Sequence, residues 1–162
     1  MNWQTRFVVG LLLALLCLGC GRSEESQRAP ENSTAEKPVW LTDFKSAQAQ
    51  ARAEKRILLI NFTGSDWCPP CIMLHRQVFS QPEFADYAAK HLVLLEVDFP
   101  HGKAQSDAQK MANGKLADRF GIDGFPTVVL LDSSGKKIGE LGYMPGGPKA
   151  FIAALEKLRT DK

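Results

Sequence analysis

The chain has 162 residues, 44% of them hydrophobic and 23% charged, with a formal net charge of +2. At roughly 100–200 residues per domain this is one domain plus appendages, which excludes a multidomain enzyme, a collagen-like fibre, a polytopic membrane protein and a wholly disordered chain. No basic cluster of the nucleic-acid-binding kind occurs, so no nucleic-acid partner is expected, and four cysteines are too few for a disulfide-dense scaffold.

Arg6 precedes an apolar run from Phe7 to Leu18 that has no polar face. As a helix the run rises about 18 Å, well short of the ~30 Å hydrocarbon core, and matches a signal-peptide core in length. A buried core helix is the alternative. Leu16-Cys17-Leu18-Gly19-Cys20 resembles a bacterial lipobox, with Cys17 where that pattern usually has Leu. The resemblance implies a signal peptide over 1–19 and a lipid on Cys20 that anchors the chain to a bilayer. Ordinary signal cleavage with two incidental cysteines is the competing reading. Gly21, in place of the Asp that holds such proteins at the inner membrane, directs the expectation to the outer membrane. Were Cys20 lipidated, Cys68 and Cys71 would be the remaining free thiols.

Residues 20–38 contain no Val, Leu, Ile, Met or aromatic residue. Such a stretch cannot bury enough apolar surface to offset its ordering entropy, so it reads as a flexible tether with a reach of about 25 Å. Residues 39–162 then form one domain. Leu41 to Glu54 is Ala-rich and predicts a helix with Leu41, Phe44, Ala47 and Ala51 on one face. Ile57 to Phe62 is a short apolar run and predicts a buried strand. A helix is expected over Cys68 to Phe79, then a second capped by Ser80, with Pro82 in its first turn and Glu83 three residues after the cap. Leu92 to Val97 predicts another buried strand, and Ser106 to Phe120 a helix stopped by Gly121.

Thr127–Leu131 and Lys137–Leu141 flank Asp132-Ser133-Ser134-Gly135 and predict a hairpin. Pro148 to Leu158 carries Phe151, Ile152, Leu155 and Leu158 on one stripe and predicts the last helix. Strands alternating with helices imply parallel pairing, and the hairpin adds antiparallel strands. The fold class is therefore α/β, a mixed sheet between helices.

The chemistry lies in Trp67-Cys68-Pro69-Pro70-Cys71, at a strand-to-helix junction. Two residues between the cysteines let one helical turn bring the sulfurs within bonding distance. A helix N-terminus favours an anion, so Cys68 is the expected attacking thiolate and Cys71 the more buried resolving thiol. Pro69 and Pro70 suit a first turn, where their missing N–H groups were unpaired anyway. Three other readings stand beside this one: a structural disulfide, a zinc site built from Cys68, Cys71, His75 and His91 or His101, and two unpaired core cysteines.

With Gly124-Phe125-Pro126-Thr127 ahead of the hairpin and Gly142 before the closing helix, residues 39–162 resemble the thioredoxin-family thiol–disulfide oxidoreductases. The resemblance implies a three-layer thioredoxin-like sandwich and a cis Pro126 beside the dithiol. It also implies a substrate site at Trp67, Pro69, Pro70, Phe125 and Pro126. Expected partners are protein thiols and disulfides, a membrane electron donor and, through Cys20, the bilayer. The Cys68–Cys71 couple would serve with no metal, flavin or nucleotide.

Two departures from the family stand out: Asn61 replaces a buried Asp that serves as proton acceptor, and Leu94 replaces a Lys often paired with it. Another group or water must then take the proton: Asp66 and His75 are candidates, with an exposed loop acid and a surface helix residue as the competing readings of the two. Phe99 to Asn113 reads as an insertion with His101 as a solvated loop residue. The segment Tyr143 to Pro148 either lines the substrate groove or caps the last helix. No His lies between the cysteines, which favours a reductase over a disulfide donor. A binding module on the same scaffold is the alternative from a different class.

Overall fold

The computed structural model describes residues 37–160. The expected signal peptide, Cys20 and the tether up to residue 36 lie outside the described residues. Strand β1 (Trp40–Leu41) leads to helix α1 (Phe44–Glu54), β2 (Ile57–Thr63) and α2 (Pro69–Leu74). A π-helical turn (His75–Phe79) continues α2 into α3 (Pro82–His91). The chain then forms β3 (Leu92–Asp98), α4 (Asp107–Phe120), the hairpin β4 (Thr127–Leu131) and β5 (Lys137–Leu141), and α5 (Gly147–Thr160).

The five strands lie in the order β1-β3-β2-β4-β5. β3 runs parallel to β1 and β2, whereas β4 is antiparallel to both β2 and β5. β2 is central, and six of its seven residues are buried, so both of its faces need apolar cover. On one face Leu59, Leu94, Val128 and Leu130 pack with Leu74, Val78, Phe79, Phe84, Phe151 and Leu155 from α2, the π-turn, α3 and α5. On the other, Leu58, Ile60, Phe62 and Leu95 pack with Ala47 and Ala51 of α1 and with Leu116, Ala117 and Phe120 of α4. Each fully buried Leu or Phe contributes about 1.5–3 kcal/mol. The result is the three-layer α/β sandwich expected from the sequence.

The local signals explain most boundaries. Ser106 caps α4 by accepting from Gln109 N at 3.2 Å, and Gly121 ends it in the left-handed region at φ 66°. Asp132 shapes the hairpin turn by accepting from Ser134 N (2.9 Å) and Lys136 N (3.0 Å).

Three expectations need correction. The first helix begins at Phe44, not Leu41, because the Asp43 carboxylate accepts from Ser46 N at 2.8 Å and caps it there. That frees Trp40 and Leu41 to pair with Leu94 and Leu95. The helix over 68–79 does not keep one period: at His75 it widens, with Ser80 N donating to His75 O at 2.8 Å. Ser80 is not the cap of α3, whose N-cap is Gln81; the Ser80 hydroxyl instead faces His75 Nδ1 at 3.1 Å.

Candidate active site

β2 ends at Thr63, and the loop Gly64–Trp67 delivers Cys68 to the N-cap of α2. The Gly64 carbonyl accepts from Cys68 N at 2.9 Å and from Trp67 N at 3.3 Å, which turns the chain sharply. A Cβ at Gly64 would sit 2.5 Å from the Trp67 ring, so glycine is what lets the indole lie back on the loop. Pro69 and Pro70 open α2 without wasting a donor.

Cys68 and Cys71 are joined by a disulfide, their Cα atoms 5.2 Å apart. The Cys68 sulfur accepts from the Cys71 backbone N–H at 3.3 Å. This contact and the cap position both favour negative charge on Cys68 rather than on Cys71. The expected difference in burial is absent, because the residues are 4% and 3% exposed. In the oxidised state the asymmetry of the pair is electrostatic, not a matter of access. With the two sulfurs bonded to each other, neither is free to serve as a zinc ligand in this state. Among the described residues no group of three His, Cys, Asp or Glu is placed to hold a metal ion.

The loop is braced against the segment after β3 by an exchange of hydrogen bonds. Asp98 accepts from Ser65 N at 2.9 Å and from the Ser65 hydroxyl at 2.6 Å. In return Asp66 accepts from His101 N (3.0 Å) and Gly102 N (2.7 Å). The His101 and then the Gly102 backbone N–H hold the Asp66 carboxyl below its ordinary value. A carboxylate so engaged is a clamp, and the proton-acceptor role expected of it is withdrawn. His75 is exposed and faces Ser80, not the sulfurs. Sequence reasoning missed Asp98 and Asn113, whose side-chain N–H donates to the Asp98 carbonyl at 2.8 Å. An acid followed by Phe-Pro at a strand end was the available signal.

The brace sets the aromatic wall. Trp67 Nε1 donates to the Phe99 carbonyl at 2.7 Å, and the exposed indole stacks on His101 at 4.4 Å and 5°. His101 is thus exposed, as expected, yet fixed against Trp67. Phe125 meets Trp67 edge-on at 6.0 Å and stacks on Phe99 at 5.1 Å. The Phe125–Pro126 peptide is cis, as the resemblance implied. Trp67, Phe99 and Phe125 line a cleft of about 360 Å³ with Lys103 and Lys110 at its rim. Tyr143 lies elsewhere: its hydroxyl donates to Gln77 Oε1 at 2.9 Å, and it packs with Met144 on the α5-side core.

Leu94 pairs with Leu59 in the core, and the residue in register with Asn61 is Glu96.

A mixed sheet in three layers, with a Cys-Pro-Pro-Cys disulfide at a helix start and a cis Phe125–Pro126 peptide just ahead of β4, defines a thioredoxin-like thiol–disulfide oxidoreductase. The chain belongs to the thioredoxin-like domain family, whose model matches residues 44–159. It is 32% identical over 152 residues to the disulfide bond reductase DsbH of Chlamydia pneumoniae, covering 93% of this chain and 91% of that protein. It is 28% identical to the thioredoxin-related protein DsbJ of the same organism, covering 86% of this chain and 38% of the relative. A solved structure of a DsbH oxidoreductase superposes with a TM-score of 0.76 at 29% identity, over 86% of this chain and 96% of that one.

Proposed function

We propose that the protein is an exported, lipid-anchored reductase of disulfides in envelope proteins, with Cys68 as nucleophile and Cys71 as resolving thiol. The observation that carries this reading is the Cys68 sulfur at the N-cap of α2, accepting the Cys71 N–H. The Cys68 thiolate attacks one sulfur of a substrate disulfide, whose other sulfur leaves as thiolate. Cys71, as thiolate, then attacks the Cys68 sulfur. The substrate's second thiol is released, and two electrons have passed from the dithiol to the substrate. Trp67, Pro69, Pro70, Phe125 and Pro126 form the surface on which an extended substrate lies, and a membrane electron donor restores the dithiol.

The reducing direction draws support from Pro69-Pro70, which places no His between the sulfurs, and from the relative named as a reductase. The potential of the Cys68–Cys71 couple tests it. Thioredoxin stands near about −270 mV and the strongest oxidants near about −120 mV, and a value toward the low end is expected. A value near the high end makes the protein a disulfide donor.

Export and anchoring rest on residues 1–20, with Phe7–Leu18 as the apolar core and Gly19-Cys20 as the lipid site. The full chain, expressed in a Gram-negative host, should take up labelled palmitate and fractionate with membranes. Cys20→Ala should lose both properties. An unlabelled wild type overturns the anchor but leaves the redox assignment standing.

A further inference from the structure

Strands β2 and β3 carry a polar pair, Asn61 and Glu96, that the redox steps above do not use. Asn61, 4% exposed, sits on central strand β2, and its Oδ1 has no hydrogen-bond partner in the protein. An unsatisfied buried acceptor costs about 1–3 kcal/mol, so it calls for a reason. Its in-register neighbour on β3 is Glu96.

The two face the side of the sheet that α2 covers. Leu59 and Leu94, two residues earlier on their strands, share one apolar cluster with Leu74 of α2. Side chains two apart on a strand point the same way, and side chains three apart on a helix share a face. Stepping from Leu59 to Asn61 and from Leu94 to Glu96 moves toward the C-terminal end of the sheet, where the dithiol loop leaves β2. Stepping back one turn from Leu74 reaches Cys71. Cys71 and the Asn61–Glu96 pair therefore lie at the same end of the same layer.

Glu96 has a second aspect. It lines a polar crevice of about 440 Å³ with Lys103, Gln105, Gln109 and Asn113. Through it the Glu96 carboxyl reaches the surface next to the Trp67–Phe125 cleft, whose lining shares Lys103 and Gln105 with the crevice.

We propose that Glu96, positioned beside Asn61, accepts the proton that Cys71 must shed, a role that rests on the redox reading above. In resolution of the mixed disulfide, the Cys71 S–H gives its proton to the Glu96 carboxylate. The Cys71 thiolate attacks the Cys68 sulfur, the Cys68–substrate S–S bond breaks, and the substrate sulfur leaves as thiolate. The proton held on Glu96 leaves through the crevice, and the substrate thiolate takes one from solvent. Asn61 Oδ1 offers an acceptor for the protonated carboxyl.

The surrounding charge suits the task. Burial, and then Asp98 on the same strand, raise the Glu96 carboxyl above its ordinary value, while His75 from the π-turn and Lys103 from the following loop lower it. Asn61, in register on β2, is uncharged, as are Gln109 and Asn113 of α4, which line the crevice with Glu96. An acid raised in this way takes up a proton closer to neutral pH than an exposed glutamate does.

The test is single-turnover reduction of insulin by the reduced full chain, acid-quenched and read by mass spectrometry for decay of the mixed disulfide across pH. The wild-type decay rate should titrate with one carboxyl. Glu96→Gln should slow decay about 10²-fold and flatten that titration, and Glu96→Asp should restore most of it. A Glu96→Gln profile that matches wild type overturns this role alone. A wild type that forms no mixed disulfide overturns the redox reading with it. If Glu96→Gln fails to fold, carboxyl carbon NMR of wild type decides. The Glu96 titration midpoint must differ between oxidised and reduced protein, and identical midpoints overturn the proposal.

Discussion

Cys68→Ser is expected to abolish disulfide reduction, and Cys71→Ser to stop the reaction halfway with substrate attached. The reason lies in the division of labour across α2. Cys68 is the N-cap, and its sulfur already accepts the Cys71 N–H at 3.3 Å, so charge on that sulfur meets a donor in place. A serine there keeps the cap, since its oxygen accepts the same N–H, but its hydroxyl is not ionised near neutral pH and is a poor attacker of sulfur. Helix α2 should thus survive while insulin reduction falls on the order of 10³-fold or more. In Cys71→Ser the first attack proceeds and nothing releases the mixed disulfide, which appears as a stable adduct in non-reducing electrophoresis. If the adduct forms in Cys68→Ser and not in Cys71→Ser, the two roles are reversed. If partner capture persists in both variants with no adduct at all, the domain binds rather than reduces.

The part of this site that sequence could reveal is the part made by neighbours in the chain. The cysteines, the prolines and the strand before them lie within fifteen residues, and each carries a local signal: an apolar run, a helix start, a spacing of three. The hairpin was equally legible because Asp132 builds its turn from donors two and four residues away. What stayed hidden is long-range. Asp98 and Ser65 meet across thirty-three positions, and Asp66 meets His101 across thirty-five. Nothing in either segment alone says that the two loops exchange hydrogen bonds. The pairing of Asn61 with Glu96 was hidden for the same reason, since strand register is fixed by pairing between β2 and β3 and not by either strand. β1 was missed because two residues have no period, and the π-turn because it inserts no unusual residue.

These hidden contacts explain how a short loop can carry a reactive pair. The segment from Gly64 to Trp67 has no regular structure of its own, yet Ser65, Asp66 and Trp67 each bond to residues between Asp98 and Gly102. Because β3 is parallel to β2, both strands end on the same side of the sheet, which is what brings these two loops together. Phe99 N also donates to the Thr63 carbonyl at 2.8 Å, extending the pairing of the strands into the loops. The stretch that looked like an insertion is thus part of the site's frame, and its first residues fix Trp67 and Phe125.

On the α2 side of the sheet the largest loss of stability is expected from Phe79→Ala. Phe79 is 2% exposed and its ring meets Trp40 at 5.1 Å, Phe84 at 4.9 Å and Phe151 at 5.6 Å, joining β1, α3 and α5. It follows Val78, which is also buried, and two adjacent residues on a regular helix are turned well away from each other. The π-turn resolves this conflict: with Ser80 N bonded to His75 O, the wider turn lets Leu74, Val78 and Phe79 all face the sheet. Truncation to alanine removes the ring from the meeting point of four aromatic side chains, at about 3–5 kcal/mol. The melting temperature of the oxidised protein, followed by far-UV circular dichroism, should fall by roughly 10–20 °C. Phe79→Leu, which keeps most of the volume, should cost less than half as much. Since Phe79 touches neither sulfur nor the loop brace, the potential of the Cys68–Cys71 couple should not move with either variant. A loss below about 1 kcal/mol in Phe79→Ala would mean that α3 and α5 close over the gap, and that the π-turn is not there to seat this ring.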